Sequence, residues 1–93
     1  MSNIENIAPL ISETEHKIES VREQLVHELE DLQDSVVSLK KMTKDNNRRQ
    51  ISASYSNIAQ HAVRIETRRA TLITLLETRT RQDKFTEFAR TIK

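Results

Sequence analysis

The chain is 93 residues long, 31% charged and only 35% hydrophobic, with a formal net charge of +1. Glycine and cysteine are absent, proline occurs once, and the aromatic residues are Tyr55, Phe85 and Phe88. This composition excludes a disulfide framework, thiol chemistry and glycine-dependent phosphate loops, and it leaves room for one small domain rich in good helix formers.

Charge is divided along the sequence. Residues 1–39 hold nine acidic and two basic groups, net −7, and residues 40–93 hold thirteen basic and five acidic groups, net +8. Segments of opposite sign favour lying against each other or against partners that complete the pattern. A parallel homodimer would set like charges side by side, which argues against it.

Residues 1–6 are expected to form a flexible N-terminus, with no basic and apolar stretch of a secretory signal. Helix 1, an acidic arm, is placed at 7–43. Ile4, Ile11, Ile18, Leu25, Leu32 and Leu39 recur every seven residues, with Ile7, Val21 and Met42 on the same stripe. Pro9 suits a first helical turn capped by Asn6, and Ser12 with Glu15 offers a rival start. Taking Leu29 as the next seam residue after Leu25 gives the steps 21, 25, 29, 32, a stutter that would locally unwind the supercoil.

The wholly polar run 44–50 is read as a turn, with one unbroken helix of about 80 residues as the alternative. Asn tolerates the left-handed backbone that ends helices, and Asn47 with Gln50 has the spacing of a new cap. Helix 2, a basic arm, is placed at 51–93 with an apolar stripe of Ile51, Tyr55, Ile58, Ala62, Ile65, Leu72 and Leu76. Glu66-Thr67-Arg68-Arg69 and Glu77-Thr78-Arg79-Thr80-Arg81 recur eleven residues apart, which two copies leave as chance in an Arg/Thr-rich helix; a real repeat would mark an untwisted stretch.

The fold class expected is all-α, an antiparallel two-helix hairpin resembling a coiled coil and completed by oligomerisation or partner helices. Its packing interface would use Ile11, Ile18, Leu25, Leu32, Leu39, Ile58, Ile65, Leu72 and Leu76. Glu28 falls within reach of Arg68 or Arg69 and would set register, while Glu13 and Glu15 approach Arg79 and Arg81. In the last segment, 84–93, Phe85, Phe88, Ala89 and Ile92 share a face turned away from Leu72 and Leu76; either the helix bends so that this end folds back on its own hairpin, or the face docks a partner, with a membrane surface the weaker alternative.

His16 and His27 point away from the stripe and His61 lies beside it. No histidine pair has zinc-helix spacing, no nucleophile–base set is visible, and no cofactor or metal is expected. The reading is a non-enzymatic protein–protein interaction module, a small subunit, adaptor or chaperone binding a helical partner or itself. The alternative is a nucleic-acid-binding helical dimer using the basic second half; without an aromatic platform nucleic acid is the weaker expectation. No segment is apolar enough to span a bilayer, and a cytoplasmic or other intracellular location is expected.

Overall fold

The computed structural model describes the backbone of residues 3–92 and the side chains of residues 7–92. Helix α1 covers Asn3–Lys44 and helix α2 covers Arg48–Thr91. Among the described residues there are no strands, and the fold is all-α, an antiparallel two-helix hairpin. No helix among the described residues is long and apolar enough to cross a membrane.

The turn occupies residues 45–47 and is made by side-chain chemistry in place of glycine. The amides of Asp45 and Asn46 bond back to the carbonyls of Met42 and Thr43, tightening the last turn of α1. Asn46 then takes a positive φ of 55°, the left-handed conformation that stops the helix. Asn47 caps α2, its Oδ1 accepting from the Gln50 amide at 3.1 Å.

The start of α1 differs from the sequence reading. Pro9 lies inside the helix, and neither Asn6 nor Ser12 begins it. Proline's fixed φ is helical, and although it removes one backbone bond and its ring crowds the carbonyl four residues back, the helix runs through it. The expectation of a free segment over 1–6 lies partly outside the described residues.

The chain forms two compact units: a turn unit, Glu23–Arg69, and a terminal unit made of the chain up to Arg22 together with Ala70 onward. In the turn unit, Leu25, Glu28, Leu32, Ser35, Leu39 and Met42 of α1 turn inward, as do Ile51, Ser54, Ile58, His61, Ile65 and Arg68 of α2. Each set steps by three and four in strict alternation, the period of a left-handed coiled coil. Met42 meets Ser54 at 3.3 Å, and fourteen residues along each helix Glu28 meets Arg68. In the terminal unit the inward residues are Ile7, Ile11, Thr14, Ile18 and Val21 against Leu72, Leu75, Arg79, Gln82, Thr86 and Ala89.

The inward residues correct two sequence expectations. There is no stutter: Glu28 takes the inward place, its side chain 13% exposed, while Leu29 is 47% exposed. On α2 Tyr55 and Ala62 face out, and Leu76, 41% exposed, gives its expected packing place to Leu75. The half-buried positions of α2 keep steps of three and four from Ile65 to Gln82, which agrees with chance for the eleven-residue recurrence. At Glu28, Ser54 and His61 the turn unit keeps its alternation at the expense of turning a polar side chain inward beside a less polar neighbour, Leu29, Tyr55 or Ala62.

Candidate functional site

Helix α1 brings one carboxylate into the turn unit where an aliphatic side chain would complete the stripe. Glu28 Oε2 lies 3.3 Å from His61 Nδ1 and 3.2 Å from Arg64 Nε, and its Oε1 lies 3.7 Å from Arg68 Nη2. Arg68 Nη1 donates to Gln24 Oε1 at 2.6 Å, while its Nε is buried without a hydrogen-bond partner. Partial burial pushes the Glu28 carboxyl up, but hydrogen bonds from His61 and Arg64 and the charges of Arg64 and Arg68 outweigh it. The net result is a carboxyl held below its ordinary value, ionised at neutral pH.

His61 Nδ1 is also 3.0 Å from Arg64 Nη2. A single ring nitrogen cannot donate to Glu28 and accept from Arg64 at once, so the imidazole proton decides which bond forms. Asp31 stands nearby, and a ligand atom from each of Glu28, Asp31 and His61 falls within 4.8 Å of the others. These three could in principle hold a cation, but the guanidinium of Arg64 already contacts both Glu28 and His61 there. Asp31 itself lies 3.8 Å from His27.

The terminal unit has its own polar layer. Thr14 is buried; its hydroxyl donates to the Leu10 carbonyl at 2.9 Å and accepts from Gln82 Nε2 at 3.0 Å. Arg79 reaches Glu15 Oε1 through Nε at 3.2 Å and Nη2 at 3.1 Å, and its Nη1 donates to Asp83. Desolvation alone would lower the Arg79 value; bonds to Asp83 and Glu15 raise it above the ordinary arginine range.

The expected register group divides. Glu28 and Arg68 meet, whereas Arg69 turns along its own helix to Glu66, whose carboxyl is thereby lowered. Glu15 meets Arg79, and Glu13 pairs with Lys17 instead of an α2 arginine. Of the packing residues, Ile18 is buried and Ile11, Leu25, Leu32, Leu39, Ile58, Ile65 and Leu72 are half-buried. His61, placed beside the seam by sequence, stands in it. The sequence signal for this layer was the heptad itself: Glu28 follows Val21 by seven, and His61, Arg68 and Leu75 share another seven-residue series.

Phe85, Phe88 and Ile92 are exposed, Phe88 by 64%, with Leu10 also exposed in the same unit. Ala89 leaves the face it was expected to share with them and turns inward. No family model, curated protein or solved structure matches the chain.

Proposed function

We propose that this protein is a non-enzymatic helical interaction module, a small subunit, adaptor or chaperone that binds an amphipathic helix of another protein through the C-terminal face of α2. The observation that supports this most is the allocation of side chains in the terminal unit: Thr14, Arg79 and Gln82 are turned inward while Phe85, Phe88 and Ile92 are left to solvent. Large aromatic side chains set among cations are the residue type that anchors helix-in-groove recognition, and burying one contributes about 1.5–3 kcal/mol. Two surface depressions, one of about 380 Å³ around Ile73, Leu76 and Thr80, the other of about 350 Å³ around Ala59 and Val63, are each lined by α2 alone, a poor enclosure for catalysis.

Selection of displayed amphipathic helical peptides against the intact protein tests the reading. Peptides with apolar positions at i, i+3, i+4 and i+7 should be enriched, and Phe88→Asp should lose at least tenfold in affinity for them with unchanged circular dichroism. Equal binding by Phe88→Asp would refute the docking face.

A further inference from the structure

Helix α1 presents an exposed stripe in the turn unit. Glu23, Val26, Glu30, Gln33, Val37 and Lys40 follow one another along α1 at steps of three and four, outside the seam. All six are exposed, Val26 by 54% and Val37 by 61%. At about 100° per residue they share roughly 100° of the helix circumference. Leu29, also exposed, borders them. Glu23 and Lys40 have no ion-pair partner among the described residues.

The order of these side chains is its own complement when reversed. Laid antiparallel on a copy of itself, the stripe sets Glu23 against Lys40, Val26 against Val37, and Glu30 against Gln33, and the two-fold axis repeats each pair. A closed two-fold interface requires this property, that residue i meets j and j meets i. A parallel pairing would instead oppose Glu23 to Glu23 and Lys40 to Lys40. Residues 23–40 hold five carboxylates and one lysine, so the two Glu23–Lys40 pairs are what offsets repulsion between facing α1 helices.

We infer that the chain self-associates through this outer face of α1, antiparallel, with a second copy as its occupant. The contact is about 26 Å long, which places it among small, reversible interfaces.

Sedimentation equilibrium of the full chain up to about 1 mM should show a reversible dimer. Glu23→Lys and Lys40→Glu should each weaken it at least tenfold. The double variant, and an equimolar mixture of the two single variants, should recover it to within about threefold, because both restore opposite charges across the axis. The chain has no cysteine, so Val26→Cys mixed with Val37→Cys reports register directly: oxidation should couple 26 to 37 and leave Val26→Cys alone uncoupled. A monomer at all concentrations, a dimer indifferent to the charge reversals, or 26-to-26 coupling would overturn the inference. Phe88→Asp should leave the dimer unchanged, so loss of the docking reading and loss of this one are separable.

Discussion

At the scale of single residues, Glu28 decides more than any other side chain. A leucine there would continue the apolar series of the turn unit, and three cationic or ionisable groups would then lose the carboxylate they share. The carboxylate instead engages His61, Arg64 and Arg68 together. Exchanging such a cluster for apolar packing is often neutral or stabilising, whereas removing one partner leaves the others uncompensated. Glu28→Gln should therefore lower the thermal midpoint of helix loss, and Glu28→Gln combined with Arg64→Gln should cost less than the two single losses together. Additive losses in a double-mutant cycle would show that the two side chains do not act as a pair. The proton on His61 is part of the same balance: when Nδ1 carries it the ring donates to Glu28, and when it does not the ring accepts from Arg64.

At the scale of elements, the turn shows how two asparagines replace glycine. Asn46 holds the left-handed backbone and Asn47 supplies the cap, so the roles are separable by substitution. Asn47→Ala should destabilise the chain by about 0.5–2 kcal/mol, the ordinary loss of a cap. Asn46→Gly should stabilise it by up to about 1 kcal/mol through relief of the left-handed backbone. Denaturant melts distinguish the two, and equal effects of the same sign would contradict the assignment.

This turn was legible in the sequence because polar residues, asparagine and cap spacing coincide at 44–50. So was the pairing of α1 with α2, through the separated charges. The inward residues were less legible. Sequence reading favours the aliphatic Leu29 over Glu28 and a step of four from Leu72 to Leu76 over a step of three to Leu75, while the turn unit keeps an unbroken three–four alternation. A half-exposed leucine costs little, since much of any protein surface is apolar, whereas a change of step would turn the following inward residues away from the partner helix. The Arg69–Glu66 pair was missed for a related reason. Residues three apart on one helix are close neighbours, and that local contact competes with a reach across the hairpin.

At the scale of the whole molecule, the separation of acid and base sets how stability responds to pH and salt together. Near neutrality opposite charges attract across both units, through Glu15 with Arg79 and Glu28 with Arg64 and Arg68. Exposed pairs of this kind contribute little one by one and are screened by salt. Raising salt at pH 7 should therefore lower the melting midpoint modestly. In acid the sign reverses. Glu28 has a folded value below its unfolded one, so its contribution is complete above the ordinary carboxylate range and disappears as pH falls through the lowered folded value. Glu66 behaves likewise through Arg69. Once the carboxyls are neutral, fifteen lysines and arginines and three histidines remain, all positive, and no attraction opposes their repulsion. Salt then screens a destabilising field and should raise the midpoint at about pH 2. Melting followed by circular dichroism at about 0.01 and 0.5 M salt, at both pH values and at one protein concentration, reads the two signs directly, because the Debye length falls from about 30 Å to a few ångströms over that range. A salt effect of the same sign at both pH values would mean that the opposed charges of α1 and α2 contribute nothing to holding them together.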